Sequence, residues 1–201
     1  MKIFLVDIDN KMTSCWERDF KDNSDVEVVN DDIAEFLDTH ADVDTIVSAA
    51  NSFGFMDGGL DKAYVAYFGN SLQEAVLRKI REEHLGEQPV GSSLSLDIPG
   101  TIGKRLIHTP TMRVPQPIID PRVVYTCARS ALVTAVKHGA QSVVLPAFGH
   151  LTGSVRADIV SDLMHRAYED VCLRNKGIYV NTWREVYEKC NIDEVLFTII
   201  K

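Results

Sequence analysis

The chain has no apolar run long enough to cross a membrane, and its longest apolar runs have the length of single strands. Its cysteines lie far apart, without the paired spacing of a zinc site or the density of a disulfide framework. The N-terminus lacks the long apolar segment of a secretory signal peptide. We therefore expect a cytoplasmic protein that needs no metal ion and no cofactor. The cysteines are Cys15, Cys127, Cys172 and Cys190.

Basic residues are also scarce, since 21 Lys and Arg stand against 29 Asp and Glu and leave a formal net charge of −8. Proteins that bind nucleic-acid polymers need clusters of positive charge, so such a polymer is not expected as a partner. A small anionic ligand remains compatible, because backbone N–H groups and helix N-termini can hold a diphosphate without Lys or Arg. The 201 residues, 45% of them hydrophobic, suit one globular domain.

Short apolar segments typical of strands alternate with segments of helical periodicity along the chain. This alternation predicts a layered α/β fold. Gly69 is expected to break the longest helical segment, 60–84. The predicted strands are 2–8, 26–29, 45–48, 92–96, 105–110, 142–146, 178–181 and 194–200. The other predicted helices are 12–20, 33–37, 121–138, 155–175 and 183–189.

The segment from Val47 to Tyr64 joins a strand to a helix through a loop that contains three glycines. A strand, a glycine loop and a helix start direct backbone N–H groups and a helix dipole toward an anionic ligand. Asn51 adds a hydrogen-bonding side chain at the strand end, and Asp61 adds a carboxylate ten residues later. The pattern is neither GxGxxG nor GxxxxGK[ST], and it favours a phosphorylated sugar. The alternative is that the glycines serve only as turn residues.

Four segments resemble, in order, the motifs of macro domains, which are ADP-ribose-binding modules. SAAN and GGLD, at 48–51 and 58–61, are similar to the family's N-A-A-N strand end and the V-D that opens its next helix. VVNDDI at 28–33 resembles the strand followed by G-D-I, and LIHTP at 106–110 resembles the I-H-T strand. VVLPAFGHLTG at 143–153 is similar to the second ligand loop. The resemblance spans roughly residues 26 to 172.

This resemblance implies a three-layer α/β/α sandwich with a mixed, mostly parallel central sheet. We expect residues 1–201 to form a single macro-like domain with a core at about 26–175. The N-terminal strand and helix would then be an addition to the core, and a strand–helix–strand tail would follow it.

The resemblance also implies roles for individual residues. Asp32 and the backbone of Ile33 would read adenine, and two loops would wrap the diphosphate. Asn51 and Asp61 would face the distal ribose and act as the catalytic residues of a hydrolase. The other expected ligand-binding residues are Ala50, Gly58, Gly59, Leu60, Phe148, Gly149, His150, Leu151, Thr152 and Gly153.

Several of these residues have alternative interpretations. Asp32 and Glu35 form a capping box, which alone accounts for an acid at position 32. Asp61 in a first helical turn is favourable without any catalytic role. His150 and Leu151 depart from the family's second loop, although His150 is also a candidate general acid. Asp57 departs from the first loop and would repel a diphosphate unless it points away.

The sequence therefore leaves several functions open. The first is binding of ADP-ribose with hydrolysis at its distal ribose, which would remove ADP-ribose from a protein or an acyl group from an ADP-ribose ester. The alternatives are a non-catalytic ADP-ribose-binding module, a phosphatase acting on ADP-ribose 1″-phosphate, and a scaffold with a relict pocket. The expected partner is ADP-ribose or an ADP-ribosylated protein, and no membrane is expected.

Overall fold

The computed structural model describes residues 1–173 and 182–185. Among these residues, no helix has both the length and the apolar character needed to cross a bilayer. The strands are β1 (Lys2–Asp7), β2 (Val26–Asn30), β3 (Thr45–Asn51), β4 (Leu94–Asp97), β5 (Arg105–Met112) and β6 (Ser142–Leu145). The α-helices are α1 (Asn10–Asp19), α2 (Ile33–Thr39), α3 (Gly59–Phe68), α4 (Ser71–His84), α5 (Arg122–Lys137) and α6 (Ala157–Tyr168).

The strands form one sheet in the order β2-β1-β6-β3-β5-β4. All neighbouring strands are parallel except β4, which pairs antiparallel with β5. Residues of α1, α5 and α6 pack in the core on one face, and residues of α2, α3 and α4 pack in the core on the other. The predicted three-layer sandwich with a mixed, mostly parallel sheet is confirmed.

The strands supply both cores because successive side chains of a strand point to opposite faces. In β3, Val47 joins the core under α1, α5 and α6, whereas Ile46 joins the core under α2, α3 and α4. In β6, Val143 and Val144 divide in the same way. Strands buried on both faces read as continuous apolar runs, which is the pattern in the sequence.

The long helical segment is interrupted at Gly69, as its sequence predicts. Gly69 has a φ of 91° and its N–H donates to the carbonyl of Val65 at 2.8 Å, which ends α3. Glycine adopts this left-handed backbone without a steric cost. The interruption turns the chain, so that α3 and α4 form two separate helices over the same face.

Several elements differ in extent from the prediction, and β3 runs to Asn51, beyond its predicted end at residue 48. β5 continues past Pro110 to Met112, and the register shifts there, since Ala50 pairs with Pro110 and Asn51 with Met112, which leaves one extra residue, Thr111, in β5. The last predicted helix ends as an α-helix at Tyr168 and continues as a π-helical turn, Glu169–Leu173. The predicted strands 178–181 and 194–200 lie outside the described residues, as does most of the predicted helix 183–189.

The N-terminal strand lies inside the sheet and not at its edge. β1 pairs with β2 on one side and with β6 on the other. Its carboxyl end therefore lies between the carboxyl ends of two strands that lead into predicted ligand-binding segments. The strand that was expected to be an addition thus forms part of the sheet's interior.

Candidate functional site

A cleft of about 370 Å³ opens at the carboxyl ends of the parallel strands. Open α/β sheets place their ligands at this edge. Nine predicted site residues line the cleft, and they come from segments far apart in the sequence. They are Asp32, Ile33, Gly59, Leu60, Gly149, His150, Leu151, Thr152 and Gly153.

The structure places the other predicted site residues outside the cleft lining. Ala50 and Phe148 are buried in the protein. Gly58 is the N-cap of α3. Asn51 and Asp61, the predicted catalytic pair, hydrogen-bond to other parts of the protein.

One end of the cleft is formed by the start of α2. Asp32 is the N-cap of this helix, and its Oδ1 accepts a hydrogen bond from the N–H of Ala34 at 2.8 Å. The N–H of Asp32 donates to Oδ1 of Asp31 at 2.9 Å. The capping role predicted from the sequence is therefore present. Asp32 is exposed, and its second carboxylate oxygen remains available to a ligand.

The first loop is organised by the Asn51 side chain. The Asn51 amide oxygen accepts from the N–H of Phe53 at 3.1 Å and the N–H of Phe55 at 3.4 Å. Its amide nitrogen donates to the carbonyl of Phe55 at 2.7 Å. Asn51 thus connects the strand end to the loop, in the manner of an Asx turn.

The middle of the first loop is anchored on α4. Met56 is fully buried, and its N–H donates to Oε1 of Gln73 at 2.6 Å. Gly54 has a φ of 78° and lies so close to α4 that an added Cβ would come within 2.7 Å of Ile80. These contacts explain why an apolar residue, Met56, occupies this position of the loop.

The N-terminus of α3 forms one wall of the cleft. Gly58 caps the helix without a side-chain hydrogen bond, and Gly59 and Leu60 line the cleft. The first N–H groups of a helix have no intrahelical acceptor. This wall therefore offers backbone donors and the positive end of a helix dipole to an anion.

Asp61 lies in the protein interior behind that wall. Its Oδ1 accepts a hydrogen bond from Oγ of Ser48 on β3 at 2.5 Å. Burial raises the pKa of Asp61 to about 6, which the Ser48 bond opposes and the nearby Asp57 reinforces. The carboxylate thus joins the start of α3 to the sheet and is not exposed in the cleft.

The second loop, residues 149–153, forms another wall of the cleft. Gly153 packs directly on Gly149, because an added Cβ at Gly153 would lie 2.4 Å from the carbonyl oxygen of Gly149. The N–H of Ile118 donates to the Gly153 carbonyl at 2.8 Å, and the N–H of Val155 donates to the Gly149 carbonyl at 3.0 Å. The tight path of this loop requires glycine at both positions.

The backbone N–H groups of Leu151, Thr152 and Gly153 have no acceptor among the described residues. Successive unpaired N–H groups in a tight loop form a concave anion site. The second loop therefore lines the same cleft as the start of α3 and offers the same kind of donors.

His150 lies within the second loop, and both of its ring nitrogens have partners. Nδ1 lies 3.0 Å from the carbonyl oxygen of Val155, and Nε2 lies 2.8 Å from Oδ2 of Asp9. The hydrogen bond from His150 holds the pKa of Asp9 below its ordinary range. These bonds leave no ring nitrogen directed at a ligand.

The charged side chains of the cleft lining are mostly acidic. Asp7, Asp31 and Asp32 line it together with His150. Burial raises the pKa of Asp7, although the N–H of Asp9 donates to its Oδ1 at 2.8 Å. An anionic group in this cleft would therefore be held by backbone N–H groups and would lie away from the carboxylates. No cluster of potential metal ligands is present among the described residues.

The sequence analysis missed the contribution of β1 and of several strand ends. Ile8 is 65% exposed and lines the cleft next to Asp7. The available signal was the apolar run of residues 3–6, followed by the acids of D-I-D, which is how a strand leads into a site at its carboxyl end. The residues missed are Val6, Asp7, Ile8, Asp31, Ala49, Ala63, Thr111, Met112, Pro146 and Ala147.

Comparison with known proteins agrees with this geometry. The sequence model of the Macro domain family matches residues 47–164, which is more than half of the chain. The chain belongs to the macro domain family. The match contains both loops of the cleft, whereas β1 and β2 lie outside it.

Individual proteins resemble this macro domain over most of its length. An uncharacterized protein of Aquifex aeolicus (strain VF5) is 30% identical over 167 residues, which cover 82% of this chain and 94% of that protein. A variant of the Oceanobacillus iheyensis macrodomain, solved with ADPR, matches with a TM-score of 0.57 and 18% identity over 79% of this chain and 88% of that one. The macrodomain of Mycobacterium tuberculosis DarG matches with a TM-score of 0.55 and 18% identity over 64% of this chain and 83% of that one. The likeness to the solved structures confirms the fold.

Proposed function

We propose that this macro domain binds ADP-ribose or a close derivative in the cleft at the carboxyl ends of its strands. The observation that carries the proposal is that the start of α3 and the second loop line one cleft and both present backbone N–H groups. A diphosphate between them would accept hydrogen bonds from both sides. The ADPR held by a structural neighbour supports the choice of ligand.

The adenine would lie at the end of the cleft formed by Asp32 and Ile33. The free oxygen of Asp32 would accept a hydrogen bond from the exocyclic amino group, and the N–H of Ile33 would donate to the ring. The distal ribose would lie near the first loop, whose shape is set by Asn51. An ADP-ribosylated protein is the proposed partner, and the scattered cysteines favour a cytoplasmic location.

Asp32→Ser is expected to separate adenine recognition from helix capping. Serine retains the cap on α2 but lacks the second oxygen, so the free energy of unfolding should change by less than about 1 kcal/mol. The affinity for ADP-ribose should fall by about 1.5–3 kcal/mol, because a hydrogen bond to a charged group is lost. Calorimetric titration measures the affinity, and urea denaturation measures the stability.

The control for this experiment is Asp32→Ala, which removes the cap as well as the carboxylate. It should lose affinity to the same extent as the serine variant and lose stability in addition. Wild-type affinity in Asp32→Ser would show that Asp32 only caps the helix.

Hydrolysis at the distal ribose is the second candidate function. The observation in its favour is the Asp61 pKa of about 6, because acid–base groups work best when their pKa lies near the operating pH. Binding without turnover is favoured by the geometry, since Asp61 bonds to Ser48 behind the wall and Asn51 bonds within its loop.

Incubation with a mono-ADP-ribosylated protein distinguishes these functions. If the protein is a hydrolase, it should release ADP-ribose, and Asp61→Asn should lower turnover by about 10²–10⁴ with little change in affinity. Release no faster than that of the variant would leave a binding module. Parallel incubations with an acyl ester and with the 1″-phosphate of ADP-ribose test the deacylase and the phosphatase.

A further inference from the structure

The contact between Asp9 and His150 joins the N-terminal part of the chain to the second loop. The residues are 141 positions apart in the sequence, and their side chains meet at 2.8 Å. Asp9 directly follows Asp7 and Ile8, which line the cleft, and His150 belongs to the second loop. The contact therefore connects the N-terminal strand, which lies outside the family match, to a wall of the proposed ligand site.

Asp9 makes two other hydrogen bonds that hold it in place, and its partner Asp7 is itself held by Asn30. Its Oδ1 caps α1 by accepting from the N–H of Lys11 at 2.9 Å, which leaves Oδ2 for His150. Its own N–H donates to Asp7, and the amide of Asn30 donates to the Asp7 carbonyl at 2.9 Å. Asp9 is thus a fixed anchor on the sheet and on α1.

His150 is equally constrained, and its two partners are both acceptors. The Val155 carbonyl has no proton to donate, and neither has the ionised Asp9 carboxylate. A neutral imidazole has one N–H group and satisfies one of these acceptors, whereas an imidazolium satisfies both. The side chain is 12% exposed, so water has little access to replace a lost bond.

The bond from His150 to Val155 also closes the base of the second loop. It lies beside the bond from the Val155 N–H to the Gly149 carbonyl at 3.0 Å. Both bonds enclose the segment with the three N–H groups proposed to bind the diphosphate, those of Leu151 to Gly153. Their position therefore depends on the ring of His150.

We propose that His150 is a positioning residue, and that its protonated ring, clamped between Asp9 and Val155, holds the second loop in the shape that binds a diphosphate. This proposal rests on the proposed function. Because the clamp needs both ring protons, the affinity for ADP-ribose falls as the pH rises and the ring becomes neutral. The ring acts through the loop and does not touch the ligand.

Acidic side chains lie near His150. Asp7, at the end of β1, and Asp9, the N-cap of α1, both interact electrostatically with its ring. The positive charge of Lys11 on α1 also interacts with Asp9. Asp31 and Asp32 line the cleft on the side of β2. Loss of the His150 charge would leave the described cleft lining with carboxylates as its only charged side chains.

The test is calorimetric titration of the full chain with ADP-ribose between about pH 5.5 and about pH 8.5, the range in which histidines change charge. The diphosphate has a constant charge over this range. Wild-type affinity should fall by about tenfold with rising pH. His150→Gln, which cannot be protonated, should bind weakly at every pH and show no such fall.

Asp9→Asn provides the decisive comparison. Its amide oxygen still caps α1, and its amide nitrogen donates to the unprotonated Nε2 of a neutral His150. The contact then no longer requires the second ring proton, so the affinity should become independent of pH and stay within about threefold of the low-pH wild type. A merely structural role would change thermal stability without removing the pH dependence.

The matched control is His165→Gln. His165 is a partly buried histidine of α6, 3.2 Å from Oδ1 of Asn23, and it does not line the cleft. It should retain the wild-type dependence of affinity on pH. ADP-ribose binding that is independent of pH in the wild type would overturn this proposal and leave the proposed function intact. Absence of binding at every pH would overturn both.

Discussion

The substitution Gly153→Ala is expected to abolish ADP-ribose binding and to lower the free energy of unfolding by about 1–3 kcal/mol. A Cβ at this position would lie 2.4 Å from the Gly149 carbonyl oxygen and 2.9 Å from its Cα. Both atoms are backbone, so the loop itself must move. That movement displaces the N–H groups of Leu151 to Gly153, which form one wall of the proposed diphosphate site.

The control for this prediction is Gly58→Ala, which lies in the other loop. An added Cβ there meets nothing within 4 Å, and the backbone conformation is extended, with a φ of −140°. Its effect on stability should stay below about 1 kcal/mol, the range for exchanges at a helix N-cap. Denaturation by urea measures both variants. Wild-type stability and affinity in Gly153→Ala would contradict the packing described for the second loop.

The substitution Asp61→Asn is expected to stabilise the protein at pH 8 by up to about 3 kcal/mol and to have little effect near pH 4. Burial raises the Asp61 pKa from 3.8 to about 6, so the carboxylate is ionised in the interior only above that value. One pKa unit corresponds to about 1.4 kcal/mol. The buried charge does not lower the free energy of unfolding below the pKa that Asp61 has in the unfolded chain. It lowers this free energy by its full amount above about pH 6.

The direction in which the stability changes with pH shows whether burial or attraction to a positive charge dominates the pKa of Asp61. A carboxylate with a lowered pKa would stabilise the protein as the pH rises, whereas Asp61 destabilises it. The asparagine keeps an oxygen that accepts from Ser48 and removes the charge. Urea denaturation of both proteins at pH 4 and pH 8 gives the difference directly. A stabilisation that is equal at both pH values would show that the charge of Asp61 is not the cause.

Ser48→Ala is the companion variant to Asp61→Asn. It removes the described hydrogen bond to the Asp61 carboxylate and leaves the charge buried. It should therefore destabilise the protein at pH 8 by about 1–3 kcal/mol and do so less near pH 4. If Asp61→Asn stabilises the protein at pH 8 and Ser48→Ala destabilises it, the ionised carboxylate of Asp61 is the group that lowers the stability.

The sequence was sufficient to predict the layers of this fold. Strands buried on both faces produce continuous apolar runs, such as Thr45–Val47, and glycine marks the break at Gly69. These are local signals, and local signals are readable from one sequence. The resemblance then placed the two loops at the same edge of the sheet, and nine of the expected residues line the cleft.

The sequence was not sufficient to predict the position of β1 within the sheet. Strand order depends on contacts between residues far apart, such as the register of Ile3 with Val143. No local pattern distinguishes an interior parallel strand from one at the edge. Asp7 and Ile8 were therefore missed as parts of the cleft.

The hydrogen-bond partners of the predicted site residues could not be predicted from the sequence either. Asn51 and Asp61 have the interval expected of hydrolase-type macro domains, but their hydrogen bonds involve Phe55 and Ser48. His150 bonds to Asp9 across 141 residues. A polar residue in a motif can either contact a ligand or support the loop, and only the three-dimensional contacts separate these roles.

The measurement that tests the central claim most directly is calorimetric titration of the full chain with ADP-ribose. We expect one site with a dissociation constant in the micromolar range, about 7–8 kcal/mol of binding free energy. AMP, which lacks the second phosphate and the distal ribose, should bind at least about tenfold more weakly. The absence of both heat and thermal stabilisation at millimolar ADP-ribose would contradict the account.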